Sequence, residues 1–180
     1  TGNLITAKCT EINQLPYAPL RLLLDDLLNL LEASYQKNPQ DYILKVKKLA
    51  SGSEALLSHF SPKISFILNT SQKELSIDVD ADKFNEMVAR FFLDIFNSLG
   101  QTLLIIDDIQ WIDQSSLTLL RNISRNLSET STFILLASRN EDIYHSVLDK
   151  NVELLKSNLK YEIELRPFSS DDTKIYIKNL

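Results

Sequence analysis

The chain has 180 residues, of which 44% are hydrophobic and 24% charged, and its net charge at pH 7 is −5. This composition is ordinary for a globular domain and excludes disordered, collagen-like and coiled-coil chains. No basic stripe and no long apolar run occurs, which argues against nucleic acid as a direct partner and against a membrane span. Only three glycines are present, Gly2, Gly52 and Gly100. Neither G-x-x-x-x-G-K-S/T nor G-x-G-x-x-G, the glycine-rich phosphate loops, can therefore exist in this chain.

The cysteine content and the two ends of the chain give weaker indications. Cys9 is the single cysteine, so no disulfide framework can form, and a reducing, cytoplasmic setting fits best. We interpret Cys9 as a small hydrophobic residue in a strand. The chain starts within an element at Thr1 and stops within a helical pattern, so we expect it to be cut from a longer protein.

The first hundred residues predict one strand followed mainly by helices. The predicted elements are a buried strand over 3–9, a helix carrying a leucine stripe over 20–31, helices over 41–50 and 53–60, and a strongly amphipathic helix over 84–99 that ends at Gly100. Pro62 is expected to break the helical pattern. Residues 61–82 are interpreted as a connecting segment over the surface, with one apolar patch from Ile64 to Leu68.

The second part of the chain alternates between strands and helices. The predicted elements are a strand over 102–107, a helix capped by Ser115 or Ser116, a strand over 132–138, a helix over about 141–156, a strand over 161–165 near a sheet edge, and a last helix capped by Ser169 or Ser170. Such alternation predicts right-handed crossovers and a three-layer α/β fold with a parallel sheet. The two apolar strands 102–107 and 132–138 are expected to be central.

Ligands of open parallel sheets bind beyond the carboxyl ends of the strands, so the residues at those ends are candidates for chemistry. Asp107 and Asp108 follow the first apolar strand, and Arg139 follows the second. Mg²⁺ in proteins is usually held by one or two carboxylates together with water and phosphate oxygens. An arginine on a neighbouring strand can bind a phosphate oxygen. We therefore predict that Asp107 and Arg139 open on the same edge of one sheet.

These residues lie within a longer pattern. The run LLIIDDIQWIDQSSLTLL at 103–120 resembles the Walker B region of the STAND branch of AAA-like P-loop ATPases. FILLASRN resembles the sensor-1 strand of that family, and YEIELRPFSSDD resembles the strand and turn that lead into its lid. AKCTEINQLPYAPL, near the start, resembles the second strand and Pro-Tyr-x-Pro loop.

The resemblance implies a P-loop NTPase-like core over 1–168 that lacks its first strand and P-loop, with inserted helices at about 40–100. The start of a lid would follow over 169–180. By resemblance, Asp107 would hold Mg²⁺, Asp108 would orient or activate the attacking water, and Arg139 would sense the γ-phosphate of ATP. Arg139 and Pro167, the latter in the turn before the lid, would contact the nucleotide.

The implied function is that of an ATP-binding and ATP-hydrolysing switch module within a multidomain signalling protein. Flanking kinase and sensor domains of the same chain would be its partners, and a second copy of the chain, in a homo-oligomer, is an alternative partner. The chain alone is not expected to be an ATPase, because it lacks the lysine and backbone amides that hold the phosphates. The alternative is an inert NTPase-like scaffold or interaction module. A receiver-type phosphoacceptor domain fits poorly, since about 100 residues precede the paired acids.

Other candidate residues have simpler interpretations. Trp111 is expected to pack and Asp113 to cap a helix or bind a loop. Arg166 is interpreted as a solvated edge charge, and the two histidines, His59 and His145, as surface or amphipathic residues. Lys8 matches a lysine of the family, but the sequence suggests no mechanism for it.

Overall fold

A computed structural model describes residues 2–12, 15–70, 80–139 and 160–179 of the chain. The elements in these residues are β1 (Asn3–Lys8), α1 (Ala18–Ser34), α2 (Pro39–Leu49), α3 (Glu54–Phe60), α4 (Pro62–Leu68), α5 (Ala81–Leu99), β2 (Thr102–Asp107), α6 (Gln114–Arg125), β3 (Thr132–Leu136) and α7 (Ser170–Lys178). Two short 3₁₀ helices, Ile109–Trp111 and Leu127–Glu129, follow β2 and α6. The described part of the chain is therefore mixed α/β, as the alternation of patterns predicts.

The three strands form one parallel sheet in the order β1-β2-β3. Lys8 pairs with Asp107 at the carboxyl end of the first ladder, and Ile106 pairs with Leu136 at the end of the second. The central position of β2 is confirmed. Because all three strands run in the same direction, the residues that follow them converge on a single edge of the sheet.

The described helices cover one face of this sheet. Side chains alternate across a strand, and the face formed by Ile5, Leu104 and Ile106 is buried beneath the helices. Both crossovers step in the same direction along the sheet, so right-handed connections place α1 to α6 on the same side. The third layer of the expected three-layer fold is not among the described residues, and the helix predicted for 141–156 lies outside them.

The opposite face of the sheet carries apolar side chains that stay accessible. Leu4 on β1 is 61% exposed, and Phe133 and Leu135 on β3 are 50% and 42% exposed. The expectation that the first strand is buried and that β3 is central is therefore wrong for the described residues, where both are edge strands. An apolar run shows that a strand is suited to burial on both faces, but it does not show whether a second layer of structure covers the strand.

Leucine and phenylalanine spacing accounts for the helical layer. The buried stripe of α1 comprises Leu20, Leu23, Leu24, Leu27, Leu28 and Leu31, as predicted. The helix α5 ends at Gly100, whose φ of 73° lies in the left-handed region that favours glycine. Phe60, on α3, lies between the rings of Tyr17, Phe84 and Phe92, at centroid distances of 5.5 to 6.3 Å. The helices α1 to α6 thus share one apolar core with the sheet.

The helix α3 ends at Phe60, in agreement with the break expected at Pro62, but Pro62 also starts a further helix. The Ser61 hydroxyl oxygen accepts a hydrogen bond from Ile64 N, and Pro62 occupies the first turn of α4. Ile64 is fully buried, so the interpretation of this stretch as a surface connection is wrong for Pro62–Leu68. Proline is tolerated in a first turn because its missing N–H has no helical partner there. Residues 71–79 lie outside the described part.

The predicted strand over 161–165 is not formed. Residues 161–169 are irregular, and all of 160–179 are exposed. The alternation in YEIEL defines two faces, but a strand also needs a neighbour to pair its backbone groups, and none of the described strands pairs with it. The helix that follows, α7, is capped by Ser169 in a capping box with Asp172, which confirms one of the two serines proposed as its cap.

Candidate functional site

The carboxyl edge of the sheet brings together residues that follow all three strands. Its backbone is continuous across the strands: Cys9 N donates to Asp107 O at 3.0 Å, and Ile109 N donates to Ala137 O at 3.0 Å. Asp107 and Arg139 thus open on the same edge, as predicted. The structure places Lys8, Asp108 and Arg139 in direct contact there.

Asp108 is at the centre of the cluster. Its side chain is only 11% exposed, and its backbone is in the left-handed region with φ 52°. The Oδ2 atom lies 2.9 Å from Lys8 Nζ, and Oδ1 lies 3.5 Å from Arg139 Nε. Oδ1 also accepts a hydrogen bond from Gln110 Nε2 at 3.0 Å. A carboxylate withdrawn from water is tolerated here because both of its oxygens have cationic or N–H partners.

The same contacts set the protonation of the ion pair. The hydrogen bond from Lys8, followed by the one from Gln110, holds the pKa of Asp108 below its ordinary value, although partial burial opposes them. The hydrogen bond and charge of Asp108 raise the pKa of Lys8 in return. Lys8 and Asp108 are therefore an ion pair across the physiological pH range.

Asp107 differs from its neighbour in being exposed. Its Oδ1 atom accepts a hydrogen bond from Asp108 N at 2.8 Å, which fixes the carboxylate at the end of β2. No group of three or more His, Cys, Asp or Glu side chains with metal-site geometry occurs in the described residues. One exposed carboxylate suits Mg²⁺ bound through water and substrate phosphates, and does not suit a metal held by protein ligands alone.

None of the three glycines lies at this edge of the sheet. Gly2 and Gly100 precede β1 and β2 and so lie at the amino edge, while Gly52 separates α2 from α3. The carboxyl edge therefore has acids and cations from this chain, but no glycine-rich loop whose backbone amides could hold phosphates.

Asp113 is a helix cap, as predicted. Its Oδ1 accepts from Ser116 N at 2.9 Å at the start of α6, and from Tyr17 N at 3.2 Å at the start of α1. The expectation that Ser115 or Ser116 caps α6 is wrong, because Ser116 supplies the N–H that is capped. Trp111 is partly buried against the core, in agreement with a packing role.

Two residues of the cluster had no role from the sequence. Lys8 ends β1, and only the pairing of β1 with β2 shows that it faces Asp108. Gln110 belongs to the pattern around Trp111, but its hydrogen bond with Arg139 N depends on the position of β3. Alternation of polar and apolar residues carries no information on which strands are neighbours, so neither contact could be read from the sequence.

Some predicted residues stay apart from the cluster. Pro167 is exposed within 160–169, and no described contact links it with Asp107, Asp108 or Arg139. Arg166 lies 3.3 Å from Glu164 Oε2 and is exposed, which confirms it as a solvated charge. His59 is exposed on α3, and His145 lies outside the described residues.

A groove of about 550 Å³ runs between α5 and α6. Its walls include Arg90 and Asp94 on α5 and Arg125 on α6. Lys8, Asp107, Asp108 and Arg139 are not among the residues that line it. The groove is therefore separate from the acidic residues at the carboxyl edge.

No family model, curated protein or solved structure matches this chain. In the parts that the structure describes, no helix is long and apolar enough to cross a bilayer. The function therefore has to be inferred from the residues at the carboxyl edge.

Proposed function

We propose that this chain supplies the magnesium-binding and water-orienting part of an ATP-hydrolysing switch module of the STAND type, within a cytoplasmic multidomain signalling protein. The observation that carries the proposal is the contact between Arg139 and Asp108, 3.5 Å apart at the ends of two neighbouring parallel strands. Acids on one strand and a cation on the next, at the edge where open parallel sheets bind ligands, suit a metal-bound phosphate.

The surroundings of Asp107 and Arg139 support the role proposed for each. Asp107 is exposed and would hold Mg²⁺ largely through water, since its Oδ1 atom already accepts from Asp108 N. Arg139 has a side chain that is 62% exposed, so it can exchange Asp108 for a phosphate oxygen without a change in the core. Bound Mg²⁺ would neutralise charge on the phosphates.

Asp108 is suited to orient water, and its low pKa makes it a poor proton acceptor. An efficient general base has a pKa near the working pH, whereas Lys8 and Gln110 hold the pKa of Asp108 below its ordinary value. Positioning and electrostatic stabilisation are the main contributions to catalysis of phosphoryl transfer, so an ionised, fixed carboxylate is sufficient for this step.

The phosphate-binding loop would have to come from outside this sequence. The outer edge of β3 and the apolar face around Phe133 and Leu135 could accept a further strand and helix. Kinase and sensor domains flanking the module in one chain are part of the proposal. The intact protein, and not these 180 residues alone, would hydrolyse ATP.

The test is Asp108→Asn in the full-length protein. The amide can still accept from Gln110 but carries no charge, so we expect turnover to fall by roughly a hundredfold or more. Binding of a non-hydrolysable ATP analogue should change less than about twofold, because the phosphate loop lies elsewhere. Asp26→Asn, at an exposed position of α1, is the matched control. Unchanged turnover in Asp108→Asn would remove this residue from the mechanism.

The scaffold function is favoured by a different observation. Leu4, Phe133 and Leu135 form an accessible apolar surface on the sheet, and such surfaces mark contacts with other protein segments. A scaffold would bind other protein segments through this surface and would not hydrolyse ATP. An intact G-x-x-x-x-G-K-S/T in the full-length sequence, together with loss of hydrolysis in Asp108→Asn, would decide for the ATPase.

A further inference from the structure

Gln110 uses both ends of its side-chain amide within the cluster. It lies in the 3₁₀ helix Ile109–Trp111 and is 7% exposed. The Nε2 atom donates to Asp108 Oδ1 at 3.0 Å, and Oε1 accepts from Arg139 N at 3.4 Å. One buried side chain thus joins the acid after β2 to the backbone at the end of β3.

The orientation of this amide is determined by its partners. An ionised carboxylate only accepts hydrogen bonds, and a backbone N–H only donates them. If the amide were rotated by half a turn, Oε1 would face Asp108 and Nε2 would face Arg139 N. Both hydrogen bonds would then be replaced by repulsive contacts. Only one orientation of the amide therefore satisfies both partners.

We propose that Gln110 is a positioning residue that couples the place of Arg139 to the orientation of the Asp108 carboxylate. One buried amide holds both the carboxylate of Asp108 and the backbone from which the Arg139 side chain extends. The group that would orient the attacking water and the group that would bind the phosphate are therefore fixed relative to each other. This catalytic meaning rests on the proposed ATPase function, while the coupling itself does not.

Two substitutions separate the two ends of the amide. Gln110→Glu keeps an acceptor for Arg139 N but replaces the donor to Asp108 with an oxygen that repels it. Gln110→Met has a similar length and removes both hydrogen bonds. The charged side chains in contact with Asp108 are Lys8 from β1 and Arg139 after β3, and neither substitution removes them.

The experiment follows two signals by NMR in the full chain without nucleotide. The chemical shift of the Asp108 carboxyl carbon is measured at one fixed pH, and hydrogen exchange is measured at the amide of Arg139. We expect both variants to move the Asp108 carboxyl resonance, because both remove the donor to its Oδ1 atom, with the larger change in Gln110→Glu. Exchange at Arg139 should become roughly fivefold faster in Gln110→Met and stay nearly unchanged in Gln110→Glu, because only the methionine removes the acceptor.

Gln114→Glu and Gln114→Met are the matched controls, because Gln114 is exposed at the start of α6. Neither should move either signal. The proposal is overturned if the carboxyl resonance of Asp108 is the same in all variants, or if both Gln110 variants accelerate exchange at Arg139 equally. The second result would indicate general loosening of the edge. Thermal unfolding identifies any variant that fails to fold, and Gln110→Asn then takes its place. Its side chain is too short to make the two hydrogen bonds, so both signals should change.

Turnover in the intact protein separates this inference from the proposed function. If the protein hydrolyses ATP, Gln110→Met should lower kcat roughly tenfold with little change in nucleotide affinity, as misorientation of a catalytic group does. An intact protein without ATPase activity, but with the predicted NMR pattern, would refute the proposed function and leave the coupling in place. An active protein without that pattern would refute the coupling alone.

Discussion

Asp113 joins two helix starts, and its removal should have a measurable effect on stability. Its carboxylate caps α6 through Ser116 N and also accepts from Tyr17 N, the residue that precedes α1. Loss of an N-cap typically destabilises a protein by about 1 kcal/mol. A partly buried N–H left without an acceptor costs about another 1 kcal/mol. Asp113→Ala should therefore lower the free energy of unfolding by about 2 kcal/mol.

Graded substitutions assign this loss to its two sources. Asp113→Asn keeps an oxygen at the same distance and should retain most of the stability. Asp113→Ser still caps α6 but does not reach Tyr17 N, so it should lose about 1 kcal/mol. Urea unfolding of the 180-residue chain, with the slope of each transition compared, gives the free energies.

The control is Asp26→Ala on the exposed side of α1, which should change stability by less than about 0.5 kcal/mol. If Asp113→Ser is as stable as the unmodified chain, the hydrogen bond to Tyr17 N contributes nothing. If Asp113→Asn is as unstable as Asp113→Ala, the charge and not the acceptor is what matters, and the capping explanation fails.

Two further predictions concern the core and the ion pair. Phe60→Ala should destabilise the chain by about 3 to 5 kcal/mol in urea unfolding, because Phe60 is fully buried. Phe66→Ala, on the neighbouring helix at 87% exposure, should stay within about 0.5 kcal/mol, and equal losses would contradict the packing. Lys8→Met should lower the melting temperature at pH 7, since Lys8 depresses the pKa of Asp108 from its ordinary value of 3.8. A depressed carboxyl pKa stabilises the fold above the ordinary value and stops doing so as the pH falls through the lowered one. The difference from the unmodified chain should therefore shrink below about pH 3.8, and a constant difference would show that Lys8 acts through packing.

Regular spacing of apolar residues predicted the elements that depend on their own sequence. The helices α1 and α5 and the strand β2 lie where their leucine, phenylalanine and isoleucine patterns place them. The sequence pattern does not predict α4, because Pro62 indicates a break, although the Ser-Pro pair at 61–62 is a usual helix start. Such elements are determined by their local sequence. Whether a proline starts or interrupts a helix depends on the residue that precedes it.

The candidate site was predictable only in part, since it depends on which strands are neighbours. The position of acids and an arginine at strand ends places Asp107, Asp108 and Arg139 at one edge. Two of the partners of Asp108 come from β1 and from the turn after β2, which are 100 and 2 residues away, and spacing along the chain does not reveal them. The strand expected at 161–165 failed for the same reason, because pairing belongs to the fold and not to the segment.

The backbone at Asp108 limits which residues can replace it over time. Its φ of 52° lies in a region that aspartate and asparagine adopt far more readily than most residues. Glutamate, which keeps the charge, lacks the short side chain that suits this conformation, while asparagine suits it but loses the charge. If the carboxylate at this position is lost in evolution, asparagine is therefore the replacement expected first. The backbone of the edge would then keep its conformation although the charge of Asp108 is gone.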